Sequence, residues 1–245
     1  AVSGVVDSVG DGITRFKNGD QIFAYMDLSR GGGYAEFAIV KETEAAPKPS
    51  RLSHVEAAGV PLAALTAWQA LFDSAKLQKG QTVLIHGGSG GVGTMAVQLA
   101  KWKGATVIAT ASAENQDYLK ELGADVAIDY KAQRFEEVVK DVDVVLDAAG
   151  GDTQARSFGV LKKEGVLVSI VGPVAQDKAN EAGIRGVNIL VKPNGEQLAE
   201  IGRLIDEGKI KAVVSLELPL PEAKRAQELI ESKHTRGKIV LKLGE

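Results

Sequence analysis

The chain has 245 residues, of which 44% are hydrophobic, so it can bury the core of one large or two modest globular domains. Its 29 basic and 32 acidic residues give a net charge of −3, which predicts no nucleic-acid partner and no attachment to an anionic membrane. The sequence has no cysteine, which excludes disulfides, thiolate zinc ligands and cysteine nucleophiles from it, and no apolar run approaches the roughly 18 residues that cross a bilayer. A cytoplasmic location is the default expectation.

The first fifty residues predict antiparallel β structure. Apolar and small residues alternate in Ala1–Gly10, and alternation returns in QIFAY (21–25) and YAEFAIV (34–40), with turn residues between them. The segment APKPSRL (46–52) contains two prolines and is expected to be a connector. A Ser-x-x-Glu pattern starting at Ser53 then predicts a capped helix.

From Thr82 onward, the sequence alternates between apolar strand patterns and helical patterns, which predicts a parallel sheet joined by right-handed crossovers. The stretch Pro173–Gly186 is polar and has no clear pattern, and NILVK (188–192) is the candidate for a sixth, edge strand. The other strands are predicted at 83–85, 105–111, 125–130, 143–150, 165–172 and 237–243, and the helices at 95–102, 114–123, 134–142, 195–208 and 221–233.

The segment TVLIHGGSGGVG (82–93) is the most informative functional motif. Its glycines Gly88, Gly90 and Gly93 follow a strand pattern at G-x-G-x-x-G spacing and precede a helical pattern, which is typical of a dinucleotide-binding turn. The pyrophosphate is expected at the positive end of the helix. A turn with no ligand is the alternative. The expected contacts are the backbone N–H groups of Gly90, Gly91, Val92 and Gly93, with the hydroxyl of Ser89.

The carboxyl ends of the other predicted strands are expected to complete the cofactor site, because ligands of parallel sheets bind at that edge. Each residue there is alternatively a small residue that only serves turn geometry. The candidates are Ser112, Tyr130, Ala148, Ala149, Gly150, Val171 and Gly172.

Seven segments together make the sequence similar to a known family. The chain resembles the zinc-free quinone oxidoreductase branch of the medium-chain dehydrogenase/reductase superfamily, and the resemblance covers essentially the whole chain. It rests on 4–23, 32–40, 57–71, 83–101, 121–130, 144–151 and 234–243.

The resemblance implies an α/β fold, a Rossmann doubly wound parallel sheet plus a partial GroES-like β domain. The expected domains are 1–61 for the C-terminal part of the GroES-like catalytic domain, 62–194 for the Rossmann cofactor-binding domain, and 195–245 for a segment that returns to the catalytic domain. Family members have about half of the catalytic domain ahead of the position of Ala1, so we expect Ala1 to be an internal position.

Cofactor choice is expected to favour NADPH over NADH. An NAD site needs an acidic residue at the end of the second strand, and here that region reads Ala109–Ser112. In the family, a tyrosine matching Tyr130 flanks the 2′-phosphate. Asn115 stands where many relatives have a lysine that pairs with this phosphate, so the preference is expected to be modest.

The reaction implied by the resemblance is hydride transfer from NADPH to quinones or carbonyl-conjugated double bonds, without a metal. The family places the threonine matching Thr66 beside the nicotinamide; alternatively, Thr66 is an ordinary helix residue. The three histidines, His54, His86 and His234, are scattered without metal-ligand spacing, and GGSGG is not a nucleophile elbow.

Two further expectations concern partners and class. An exposed edge strand at 188–191 invites pairing with a second copy, so a homodimer is expected, with a small molecule as substrate. A non-catalytic NADPH-binding protein of the same fold is the alternative to an enzyme.

Overall fold

The computed structural model describes residues 1–232 and 235–244, and these contain eleven strands and nine α-helices. The strands are β1 (Val2–Val5), β2 (Gln21–Ala24), β3 (Ala45–Pro47), β4 (Thr82–Ile85), β5 (Thr106–Ala111), β6 (Val126–Asp129), β7 (Val142–Asp147), β8 (Leu161–Ser169), β9 (Arg185–Asn188), β10 (Val214–Pro219) and β11 (Lys238–Lys242). The helices are α1 (His54–Ala58), α2 (Pro61–Trp68), α3 (Gly91–Lys103), α4 (Gln116–Glu121), α5 (Phe135–Val138), α6 (Gly151–Ser157), α7 (Gln176–Glu181), α8 (Gly195–Asp206) and α9 (Ala223–Glu231), with a π-helical segment Gln69–Ser74 after α2.

The chain forms two units, Thr66–Leu190 and Ala1–Leu65 with Val191–Glu245. We call the first the parallel-sheet unit and the second the antiparallel-sheet unit. The domain bounds expected from the sequence remain a prediction about how function is divided along the chain.

The parallel-sheet unit contains the predicted Rossmann-like sheet. Six strands pair in the order β6-β5-β4-β7-β8-β9, and every pairing is parallel. The chain thus starts at the centre of the sheet, runs to one edge, returns, and runs to the other. This reversal between β4 and β7 is where α/β proteins of this kind bind their ligands.

The core of this unit explains why the strand patterns were readable from the sequence. Val83, Leu84 and Ile85 are all buried, as is typical of a strand covered on both faces. Leu84 packs in one cluster with Val145 of β7 and Leu167 of β8. A continuous apolar run therefore marks each central strand.

Two predictions for this unit were wrong in detail. The edge strand β9 is Arg185–Asn188, so it overlaps the predicted segment only at Asn188. The unpatterned stretch before it contains α7 and buries Ala179, which lies close to Gly186 of β9. Two turns of helix bury too few residues to give a periodic signal.

The antiparallel-sheet unit contains a sheet in the order β1-β2-β3 and a separate parallel pair, β10 and β11. β1 and β2 were expected, whereas β3 and β10 were not. β3 is only three residues long and ends in Pro47, and prolines made the whole segment look like a connector. The capping box at Ser53 is confirmed, because its hydroxyl accepts the Glu56 N–H at 3.2 Å and the Glu56 carboxylate accepts the Ser53 N–H at 2.8 Å.

The strand predicted at 34–40 is absent from the described structure, where 34–37 form bends and 38–40 have no regular structure. Phe37 and Ile39 are 74% and 83% exposed, and the segment borders a cavity of about 1030 Å³ within the antiparallel-sheet unit. An alternating pattern becomes a strand only where a neighbouring strand pairs with its backbone, and none of the described strands pairs with this segment.

No helix in the described part of the chain is long and apolar enough to span a membrane.

Candidate functional site

The glycine turn after β4 is held in one conformation by its own backbone. Gly87 has a φ of +68°, which favours glycine, and the Gly88 N–H donates to the Thr110 carbonyl at 2.9 Å. The Gly90 N–H donates to the Gly87 carbonyl at 3.0 Å. The tight turn is therefore made by Gly87, which lies just before the three motif glycines.

The motif glycines serve close packing. A Cβ on Gly93 would lie 2.1 Å from the Gly87 carbonyl oxygen, so only glycine lets α3 start this close to the turn. A Cβ on Gly88 would lie 2.9 Å from the Leu119 side chain of α4. At Gly90 the nearest atom would be 3.4 Å away, which leaves this position as the one where the backbone is open to a ligand.

The first turn of α3 presents hydrogen-bond donors at this point. The N–H groups of Gly91, Val92 and Gly93 have no acceptor within the helix, since the first N–H groups of an α-helix lack partners. Ser89, Gly90 and Val92 are partly exposed. A cradle that a Cβ would fill, together with a row of N–H groups at the positive helix end, fits the pyrophosphate of a dinucleotide.

A second turn, Ala148–Gly150, lies beside the glycine turn. A Cβ built on Gly87 would be 3.7 Å from the Ala148 Cβ, so the two turns are in contact range. The carboxylate of the fully buried Asp147 accepts the N–H groups of Ala149 at 3.0 Å and Gly150 at 2.7 Å. Its other oxygen accepts the Gln154 amide at 2.8 Å. The Asp147 carboxylate thereby holds the backbone of the turn 148–150 in place.

The candidates after β8 join the same edge of the sheet. A Cβ on Gly150 would lie 3.2 Å from the Val171 side chain. The Val171 N–H donates to the Ser169 hydroxyl at 3.4 Å, and the Gly172 carbonyl accepts from the Asn188 amide at 2.8 Å. The structure thus brings together the candidates that follow β4, β7 and β8.

The end of β5 carries an acidic group that the sequence analysis missed. The Ser112 hydroxyl donates to the Glu114 carboxylate at 3.1 Å, and the buried Asn115 amide donates to the Ser112 hydroxyl at 2.9 Å. The region Ala109–Ser112 contains no acidic residue, but the side chain of Glu114, two residues further along the chain, folds back to Ser112. A Ser-x-Glu pattern at a helix start was the available signal.

Tyr130 follows β6 and is 52% exposed, with the Lys131 ammonium group 6.0 Å from the centre of its ring. Its backbone N–H donates to the Ala111 carbonyl at 3.2 Å, which ties it to the end of β5. One carboxylate, Glu114, and one ammonium group, Lys131, therefore belong to the loops after these two neighbouring strands.

The remaining candidates lie elsewhere. Thr66 is buried on α2. The imidazole of His54 is 2.8 Å from the Ser3 hydroxyl in the antiparallel-sheet unit, and His234 lies outside the described residues. Within residues 1–232 and 235–244, no group of three or more His, Asp or Glu side chains is arranged to hold a metal ion.

His86 directly follows β4 and is buried, with hydrogen bonds to Thr110 and Ser157. Burial lowers its pKa from 6.5 to about 4, and the neighbouring Arg156 charge acts in the same direction, while the carboxylates of Asp147 and Glu136 oppose it. The imidazole is therefore neutral at physiological pH.

Comparison with known proteins gives consistent matches. Residues 122–241 match the family model described as zinc-binding dehydrogenase. A probable zinc-binding oxidoreductase, mitochondrial, of Arthroderma benhamiae is 36% identical, with 93% of this chain and 74% of that protein covered.

Two solved structures extend the likeness to the fold. The quinone oxidoreductase from Coxiella burnetii is 37% identical with a TM-score of 0.91, covering 99% of this chain and 78% of that one. The Escherichia coli quinone oxidoreductase complexed with NADPH is 30% identical with a TM-score of 0.87, covering 98% and 80%. With its parallel sheet and glycine turn, this chain belongs to the quinone oxidoreductase branch of the medium-chain dehydrogenase/reductase superfamily, a family of oxidoreductases.

Proposed function

We propose that the protein reduces quinones or carbonyl-conjugated double bonds with NADPH and without a metal. The observation that carries this proposal is the glycine turn, where a Cβ on Gly93 would lie 2.1 Å from the Gly87 oxygen, so that α3 can start at the turn only with glycine at this position. The similarity to two quinone oxidoreductases, one of them complexed with NADPH, supports it.

Each part of the cofactor would contact a different set of residues. The N–H groups of Gly91, Val92 and Gly93, with the Ser89 hydroxyl, would hold the pyrophosphate, and Gly90, whose N–H donates to the Gly87 carbonyl, would let it approach the backbone. The turn 148–150 and Val171 with Gly172 would line the rest of the cofactor. A bound NADPH would supply the hydride. Thr66 would lie beside the nicotinamide, as the resemblance implies, and orient it.

In this proposal the acceptor is already activated, and the absence of cysteine from the sequence, together with its three scattered histidines, supports a reaction without a Lewis-acidic metal. A quinone or enone meets this condition, since its own carbonyl takes up the developing negative charge. The protein then has to position the reactants and donate a hydrogen bond, and water can supply the proton.

The reaction is tested by NADPH oxidation after exhaustive chelation, with a quinone, an enone and a simple ketone as acceptors. We expect unchanged rates after chelation and turnover of the quinone or enone only. Loss of activity on chelation, or a preference for the simple ketone, would contradict the metal-free reaction. Tight NADPH binding with no turnover of any acceptor would favour the non-catalytic alternative.

A preference for NADPH over NADH is proposed from the loops after β5 and β6. Ser112 and Tyr130 leave room for a 2′-phosphate, and Lys131 supplies a cation. Glu114 opposes this phosphate by charge repulsion, and the amide of Asn115 donates to Ser112, so we propose a modest preference. Fluorescence titration with both cofactors measures it, and equal affinity or tighter NADH binding would contradict it.

A homodimer is proposed to form through β9, an edge strand of the six-stranded sheet. Leu190, which follows β9 and is 78% exposed, would add apolar contact. The Ile189 N–H donates to Ser169 within the chain at 3.1 Å, so a proline there would not test dimerisation cleanly. Light scattering of the wild type and the Leu190→Lys variant is the better test, and a monomer in both at micromolar concentration would contradict the proposal.

A cytoplasmic location stays a proposal. The fungal relative is named as mitochondrial, and fractionation of cells that express the full-length protein would decide between the two compartments.

A further inference from the structure

A chain of buried hydrogen bonds connects the two turns of the candidate site. The His86 Nε2 atom is 2.9 Å from the Ser157 hydroxyl on α6, and its Nδ1 atom is 3.2 Å from the Thr110 hydroxyl on β5. The Gly87 N–H approaches the same Thr110 hydroxyl at 3.3 Å. All three side chains are buried.

The hydrogen bonds of Ser157 determine which nitrogen of a neutral His86 carries the proton. The Ser157 hydroxyl donates to the Thr153 carbonyl at 2.7 Å, so its oxygen accepts a proton from Nε2 of His86. In a neutral imidazole Nδ1 is then an acceptor, so it accepts the Thr110 hydroxyl proton, while the Thr110 oxygen accepts the Gly87 N–H.

The charged groups around His86 leave it neutral. Asp147 of β7, Arg156 of α6 and Glu136 of α5 are the ionisable groups that act on it, and desolvation outweighs the attraction of the two carboxylates. The Phe135 ring contacts the imidazole at 4.6 Å between centres, and the Arg156 guanidinium lies 4.9 Å from the centre of that ring. A second proton, on Nδ1, would reverse the hydrogen bond with Thr110, whose oxygen would then accept from both Nδ1 and the Gly87 N–H.

This series of hydrogen bonds joins the glycine turn to α6. At one end it holds Gly87, which makes the tight part of the glycine turn, and at the other it holds α6, whose first residue Gly151 directly follows the turn 148–150. Any shift of α6 would therefore reach the glycine turn through Ser157 and His86.

We propose that His86 is a positioning residue for the dinucleotide: as a neutral, Nε2-protonated imidazole it fixes the glycine turn and the turn 148–150 relative to each other. This inference rests on the proposed cofactor binding. His86 acts through the backbone of the two turns and makes no contact with the cofactor in this proposal.

The test compares variants that break single links. Ser157→Ala removes the acceptor of Nε2, and Thr110→Val removes the hydroxyl shared by Nδ1 and Gly87 without changing the side-chain shape. Each is expected to raise the Kd for NADPH about threefold to tenfold, the loss of about one hydrogen bond. His86→Leu, which breaks both links, is expected to raise it more than His86→Asn, whose shorter amide can still reach Thr110.

The matched control is Ser3→Ala, which breaks a second serine–histidine hydrogen bond among the described residues, between Ser3 and His54 at 2.8 Å in the antiparallel-sheet unit. Its melting temperature is expected to fall with little change in the Kd for NADPH. If Ser157→Ala and Thr110→Val behave in the same way, or bind NADPH like the wild type, His86 has only a structural role and the proposal is wrong.

Two measurements do not depend on the cofactor. Long-range ¹H–¹⁵N NMR of the imidazole is expected to report the Nε2-protonated neutral form, and the other tautomer or a charged ring at neutral pH would overturn the proposal. Hydrogen exchange of the Gly87 and Ala149 amides is expected to accelerate together in His86→Leu. If the wild type binds no dinucleotide, the proposed function is wrong. The NMR and hydrogen-exchange results still show whether His86 holds the two turns together.

Discussion

The two units differ in how their apolar residues are covered. In the parallel-sheet unit, the central strands bury every residue of Val83–Ile85, and their apolar runs are continuous. In the antiparallel-sheet unit, Val5 is 59% exposed at the end of β1, and Phe37 and Ile39 project from a segment without strand pairing. Both regions have strand-like sequences, but β4 is paired on both sides, whereas β1 is an edge strand and none of the described strands pairs with 34–40.

An apolar pattern alone does not make a strand. A pattern describes which residues are suited to burial, whereas a strand also needs a partner for its backbone N–H and C=O groups. Where strands are flanked by strands, as β4 is by β5 and β7, the pattern and the structure agree. Variants that alter one unit at a time test this contrast.

The largest effect is expected from Gly93→Ala. The new Cβ would lie 2.1 Å from the Gly87 oxygen and 2.7 Å from the Gly88 Cα, both backbone atoms, so α3 or the turn must move. We expect a loss of more than about 3 kcal/mol in the free energy of unfolding, together with loss of NADPH binding. Urea denaturation and fluorescence titration measure the two losses.

Two glycine variants serve as controls for this experiment. Gly90→Ala brings its Cβ no closer than 3.4 Å to another atom, so it is expected to fold normally and to weaken NADPH binding alone. Gly159→Ala, with no atom within 4 Å, is expected to change neither. A Gly93→Ala protein as stable as these two would contradict the close packing of α3 on the turn.

The second prediction sets one core residue against one exposed residue. Leu84→Ala removes a buried side chain from the core cluster of the parallel sheet, and we expect a loss of about 3 kcal/mol. Phe37→Ser, at a residue 74% exposed, is expected to change stability by less than about 0.5 kcal/mol. Comparable losses in the two variants would mean that Phe37 is covered in solution, and the contrast between the units would be wrong.

The same contrast explains how much could be predicted from the sequence. The six-stranded sheet and the glycine motif were predicted because apolar runs and glycine spacing are local signals. β10 was missed because it has no continuous buried run: Leu218 is the one buried residue of the six, and the strand ends in Pro219. In the candidate site, Asp147 and Ser157 act through hydrogen bonds that only folding creates, so neither was found.

A third prediction concerns pH and the buried His86. Its pKa is about 4 in the folded chain and 6.5 in the unfolded one, so the unfolded state binds more protons between these values. The contribution to stability is complete above pH 6.5 and is lost as the pH falls towards 4. Its full size is about 3 kcal/mol.

Urea denaturation between pH 6.5 and 4.5 measures this loss, since the pKa of Glu136, lowered to about 2, affects stability only below its ordinary value of 4.5. The slope is expected to be shallower in His86→Asn. His54→Asn is the control for the other described histidine, whose pKa burial also lowers. An unchanged slope in His86→Asn would show that this imidazole is not the group that titrates.

The smallest effect is expected from a single charge at the end of β5. The Glu114 carboxylate accepts from Ser112 at 3.1 Å and is exposed, so solvent screens its repulsion of a 2′-phosphate. Glu114→Gln keeps the hydrogen bond, removes the charge, and is expected to lower the Kd for NADPH about twofold to fivefold without tightening NADH binding.

Glu121→Gln, which removes a charge from the far end of α4, is the matched control and is expected to leave the ratio of the two Kd values unchanged. Lys131→Gln is expected to shift the ratio the other way, and all three effects should shrink as salt is added. If the ratio responds equally to Glu114→Gln and Glu121→Gln, the preference depends on the overall charge of the protein, and Glu114 has no specific part in it.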